Sequence, residues 1–197
     1  AWSDDNKRVF FGIKEQVPVP DVVARRSTDE VADVDVWNAF DERIQSVQMT
    51  RADADLNFTF REAFDVAASR FVKLADASLR DLDLAPDGRW AVGRDTRGYI
   101  SDYKRPAADI YRVNTSTGER TLMLKNQLLG GGVLGISPDG HYYLYWKGNK
   151  FEAWDLDAGA SRALGGSTPP SFVDMEYDHP GPKPSYGIAG YTSDGKS

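Results

Sequence analysis

From Ile136 to Trp146 the chain passes from apolar to polar and back to aromatic residues. The polar interruption is Ser137-Pro138-Asp139-Gly140. Pro presets φ at the second position of a tight turn, Asp bonds its own backbone, and Gly takes the positive φ that follows. Alternation then puts Tyr143 and Tyr145 on one face and Tyr142, Leu144 and Trp146 on the other. The pattern predicts strand, turn, strand.

The same signal recurs. Leu84-Ala85-Pro86-Asp87-Gly88-Arg89-Trp90 is a second copy. Tyr191-Thr192-Ser193-Asp194-Gly195-Lys196 lacks the Pro, and Trp2-Ser3-Asp4-Asp5-Asn6-Lys7-Arg8 puts Asn where Gly stood. The interval between Asp5 and Asp87 is the longest, enough for two units of roughly 40 residues, the size of a four-stranded propeller blade.

A second hairpin repeats between these turns. Ala63 to Arg70, Tyr111 to Arg120 and Ala153 to Arg162 each read as an aromatic strand, an Asp/Asn-rich turn and a returning strand that ends in Leu74, Leu124 or Leu164. One unit is therefore four antiparallel strands. The expected units are residues 1–78, 79–125 and 126–166, followed by 167–197 as a loop plus the start of a next blade. Lys7 to Lys14, Val34 to Trp37, Gln45 to Met49 and Gly187 to Tyr191 are further expected strands. Helix formers are frequent from Phe58 to Leu74, but the hairpin match outweighs propensity. Radial repetition of four-stranded sheets defines an all-β fold, a partial β-propeller of about four blades.

Composition narrows the function. The 197 residues carry a net charge of −6, with 41% hydrophobic, 12% aromatic and 27% charged residues. That acidic balance argues against nucleic acid as a partner, since phosphate binding needs a basic face. No apolar run approaches the roughly 20 residues of a membrane span. With no cysteine, disulfides and thiolate chemistry are excluded. Acidic charge without cysteine fits an exported bacterial protein. The chain begins just before one turn and stops just after another, so an excerpt of a longer protein is expected, with strand edges left exposed. Such edges recruit partners, and a homodimer through the blade edges is the favoured assembly.

The Ser-Pro-Asp-Gly turn followed by an aromatic strand resembles the repeats of TolB-type and prolyl-oligopeptidase-type propellers. The segment from Asp33 to Gln48, with Trp37, then Asp41, then Gln45-Ser46-Val47-Gln48, resembles a propeller segment of bacterial serine peptidases of the prolyl-oligopeptidase family. That resemblance implies a non-catalytic propeller that gates or positions a peptide substrate for an α/β-hydrolase domain of the parent protein. The chain itself has no Gly-x-Ser-x-Gly elbow, so no catalytic residue is assigned. The alternatives are a TolB-like scaffold for a protein partner and a carbohydrate-binding propeller.

Few residues qualify as sites. Asp174, Glu176, Asp178 and His179 sit within six residues in a Pro-rich loop, Ser167 to Tyr186. Three carboxylates and an imidazole are the donor types that gather a divalent cation, and the plainer reading is a solvated acidic loop. His141 directly follows a turn and is expected to face solvent. Asp53-x-Asp55-x-Asn57 imitates a calcium loop but has Phe58 and Phe64 where Gly and Glu are needed. Gly130-Gly131-Gly132 has no Lys-Ser/Thr after it and is expected to let an inner strand approach the propeller axis. No cofactor is expected.

Overall fold

The computed structural model describes residues 1–16, 38, 41, 43–101, 104–130, 135–165 and 172–192. The described β-structure forms three antiparallel sheets. The first holds β1 (Arg8–Ile13), β2 (Phe60–Asp65) and β3 (Arg70–Lys73) in that order. The second runs β4 (Asp81–Leu84), β5 (Trp90–Asp95), β6 (Ala107–Asn114), β7 (Arg120–Leu128). The third runs β8 (Gly135–Ile136), β9 (Tyr142–Lys147), β10 (Lys150–Asp155), β11 (Ala160–Ala163). Each sheet is a meander of sequential strands, as a propeller blade requires.

The repeated turns are the same object three times. Asn6, Gly88 and Gly140 each donate a backbone N–H to the residue three before, at 2.9, 2.8 and 2.9 Å. All three have positive φ, at 55, 71 and 76°. The degenerate copy works because Asn tolerates the left-handed region that Gly fills elsewhere. The turn aspartates bond the N–H two residues on: Asp5 to Lys7, Asp87 to Arg89, Asp139 to His141. The second hairpin repeats too, with Asp65, Asn114 and Asp155 side chains accepting from the turn backbone. The register fixes which residues are equivalent across sheets. Val92 pairs with Arg112 as Leu144 pairs with Ala153.

Sheets stack through two apolar clusters. Phe10, Ala63, Val72 and Leu74 of the first sheet and the residue after it pack against Leu79, Leu82, Ala91 and Val113 of the second sheet and its lead-in. Val92, Ile110, Met123 and Leu124 of the second meet Tyr143, Tyr145 and Leu156 of the third. Both faces of the second sheet are therefore covered. The fold is all-β, a partial propeller.

Three expectations change. Gln45 to Met49 is not a strand but the start of α1 (Gln45–Leu56), a 12-residue helix without a buried residue. Gln, Met, Arg, Ala and Leu favour helix over the full length, and a five-residue window hid that. Residues 13–59 form their own compact unit. The long first interval is thus an excursion between β1 and β2 of one sheet. Gly187 to Tyr191 forms no strand with another described residue; pairing in that region falls instead on the Pro-rich loop, between Val173 and Ser185. The strand expected at Val34 to Trp37 lies outside the described residues, as do Gly131 and Gly132.

Candidate interaction surface

The residues that hold one sheet on the next occupy fixed positions in the repeat. Phe10, Val92 and Leu144 are equivalent, and so are Leu74, Met123 and Leu164. In the first two sheets these positions are spent on packing: Phe10 and Leu74 in one cluster, Val92 and Met123 in the other. In the third sheet Leu144 and Leu164 line a hollow of about 740 Å³, together with Tyr142, Phe151, Phe172 and Tyr191. The equivalent leucines show the change: Leu74 is 0% exposed and Leu164 37%. The outer face of the third sheet has the chemistry of a packing face, and no sheet of the described residues lies upon it.

The hollow is apolar with a charged margin. Arg162 lies over the Tyr142 ring at 5.1 Å. The Tyr191 hydroxyl donates to Gly135 O at 3.0 Å, and burial pushes its ionisation up to about 12. Tyr191 holds the repeat position of Leu84 and Ile136, the last residues of the inner strands β4 and β8.

The opposite end of the stack also presents an apolar face. Phe71 is 64% exposed and meets Phe64 at 4.9 Å and Phe11 at 6.0 Å between ring centroids. Aromatic groups exposed in a patch mark contact surfaces more often than single exposed side chains do.

A polar lock joins the rims of the second and third sheets. Asp157 accepts from Trp90 Nε1 at 2.7 Å and Arg89 Nη1 at 3.1 Å, and lies 2.8 Å from His141 Nδ1. Burial alone would raise the Asp157 carboxyl, but the Trp90 and His141 hydrogen bonds and the Arg89 charge hold it below the ordinary value. His141 is thus engaged between blades rather than turned freely to solvent. This lock was missed in the sequence, where Asp157 read only as a turn residue.

The Pro-rich loop does not gather its acids. Among the described residues no three His, Asp or Glu side chains converge to hold a metal ion. Asp174 accepts from the Glu176 N–H. Asp178 and His179 are 3.8 Å apart, with side chains 91% and 74% exposed.

No family model and no curated protein matches the chain. Two of the solved structures similar to this chain are TolB proteins. A putative TolB from Agrobacterium tumefaciens shares 14% identity at a TM-score of 0.36, over 83% of this chain and 47% of that one. TolB from Acinetobacter baumannii shares 15% at a TM-score of 0.33, over 54% of this chain and 26% of that one. The chain thus spans less than half the length of either. Neither overlap is close enough to carry an argument about function.

Proposed function

We propose that the chain is a propeller segment that serves as a protein-interaction platform and docks through the outer face of its third sheet. The observation that carries this reading is the register. Positions that seat one sheet on another in the first two sheets line an apolar hollow in the third. The partner is a protein that offers an apolar β-sheet face. A second copy of this chain has one, at Phe11, Phe64 and Phe71, and exposed faces of this kind support head-to-tail pairing.

The narrower peptidase reading has less support. Trp37 lies outside the described residues, and Gln45 and Gln48 lie in or beside the first turn of α1 rather than on a blade strand. Export belongs to the same proposal; no described helix is long and apolar enough to cross a membrane.

Sedimentation velocity with Leu164→Glu and Phe71→Glu tests the pairing. Each variant alone should be monomeric, and a 1:1 mixture should recover a heterodimer, because one intact face of each kind remains. A wild-type chain that stays monomeric at millimolar concentration overturns the pairing. The platform itself is tested by selecting displayed protein binders. Binders that lose affinity for Leu164→Glu support it, and binders wholly indifferent to that change overturn it.

A further inference from the structure

A second hollow has a different character. It lies between the end of β7, the β9–β10 hairpin and the loop from Tyr177 to Pro184, and measures about 620 Å³. Arg105, Lys147 and Lys183 line it, with Trp146, Tyr177 and Gln127. A neighbouring hollow of about 420 Å³ shares Arg105, Asn126, Leu128 and Pro182 with it and adds Lys104. No Asp or Glu is among the described residues lining either. That is unexpected in a chain with 30 acidic and 24 basic residues.

The cations here are held by neutral groups. Arg105 donates to Pro182 O at 3.0 Å and to the Tyr177 hydroxyl, and its guanidinium lies 5.2 Å from the Tyr177 ring centroid. Lys147 donates to Lys125 O and Lys183 to Met175 O, each at 3.0 Å. Asp109 accepts from the Tyr99 hydroxyl and the Asn126 N–H and is not a lining residue. Carbonyls orient these three side chains without neutralising them. A groove lined by one sign of charge against low-dielectric walls focuses its field and concentrates the opposite charge.

Gln127 adds an independent feature. It is 2% exposed, and its Nε2 donates to Trp146 O at 2.9 Å and Leu128 O at 3.1 Å. Its Oε1 is enclosed without a partner. A buried acceptor of this kind is satisfied when a donor arrives. We infer that this groove binds an acidic peptide segment with interspersed apolar residues. The carboxylates face Arg105, Lys147 and Lys183, the apolar side chains lie on Trp146 and Tyr177, and a main-chain N–H reaches Gln127. This inference stands apart from the outer face of the third sheet.

Fluorescence polarisation with a fluorescein-labelled Glu-Asp-Leu-Trp-Asp-Glu peptide tests it, beside the Gln/Asn analogue of the same length. The acidic peptide should bind saturably and at least tenfold more tightly than the neutral one. Affinity should fall steeply with added salt. Lys147→Glu with Lys183→Glu should weaken binding at least tenfold, and Leu164→Glu should leave it unchanged. Arg105 braces the loop, so the two lysine changes keep the test clear of folding. Equal binding of the neutral peptide, or no effect of the lysine changes, overturns the inference. So does displacement by citrate at concentrations equal to the peptide, which would mark a site for simple anions only.

Discussion

The second and third sheets share one hydrogen-bonded frame, yet among the described residues the second has a sheet packed on both faces and the third on one. In both, the residue before the Pro accepts from the Gly N–H, and the residue after the Asp/Asn of the second turn donates to the chain beside the first turn. What differs is the use of equivalent positions. Met123 is buried in the cluster against the third sheet, while Leu164 lines a hollow. Backbone pattern therefore sets the blade, and side-chain burial depends on what lies beyond it. A blade sequence keeps its packing face whether or not that face is covered.

The largest expected effect separates covered from uncovered positions. Leu74→Ala removes a fully buried side chain and should cost about 2–5 kcal/mol. Leu164→Ala, at the equivalent position, should cost below about 1 kcal/mol because its side chain already meets solvent. Urea unfolding followed by circular dichroism reads both. Equal losses would mean that the outer face of the third sheet is packed as tightly as the interior of the stack.

The rims give a smaller contrast. At the junction of the first and second sheets, Arg70 donates to the backbone oxygen of Ser116, so Ser116→Ala keeps the acceptor and should stay within about 0.5 kcal/mol of wild type. The equivalent position at the next junction is Asp157, whose carboxylate gathers Trp90, Arg89 and His141. Asp157→Ala should cost about 1 kcal/mol; the cluster is partly exposed, which limits its worth. Thermal melts of the two variants decide it. A Ser116→Ala variant that loses as much as Asp157→Ala would mean that the Asp157 carboxylate adds nothing beyond an ordinary turn side chain.

Much of this fold was legible in the chain. Pro86-Asp87-Gly88 and Pro138-Asp139-Gly140 name their turns because Pro, Asp and Gly each impose a local backbone preference. The copy at Asp5 was readable because Asn tolerates the same conformation as Gly. The helix Gln45–Leu56 was hidden because it breaks the repeat instead of joining it, and short windows do not separate helix from strand. The rim lock was hidden for another reason. Asp157 meets Arg89 and Trp90 only after two sheets stack, and no local spacing reports a contact between residues 67 or 68 apart. The cationic groove is likewise assembled from four separate stretches of chain, so no local run of charge announces it.

The two junctions should also respond differently to acid. Asp76, in the link between β3 and β4, accepts from the Ser78 N–H at 2.8 Å and forms an ion pair with Arg120 at 3.1 Å. Burial raises its ionisation, but the Ser78 and Arg120 hydrogen bonds and the Arg120 charge prevail and hold it well below the ordinary 3.8. Asp157 is shifted in the same direction from 3.8. A carboxyl lowered in the folded chain binds protons later than in the unfolded chain. Its contribution is therefore fully present well above about pH 4, and it is lost as pH falls from there through the folded value. Melting temperature should thus drop on acidification across that window. Asp76→Asn should flatten the drop, and Asp157→Asn should flatten it less, because the Asp76 carboxyl is held further below its ordinary value. Both groups are partly exposed, so the flattening should be modest. Melting curves of the three proteins from pH 7 to pH 2.5 check the order. If the Asp76→Asn curve runs parallel to wild type, the link between the first two sheets does not depend on that carboxylate.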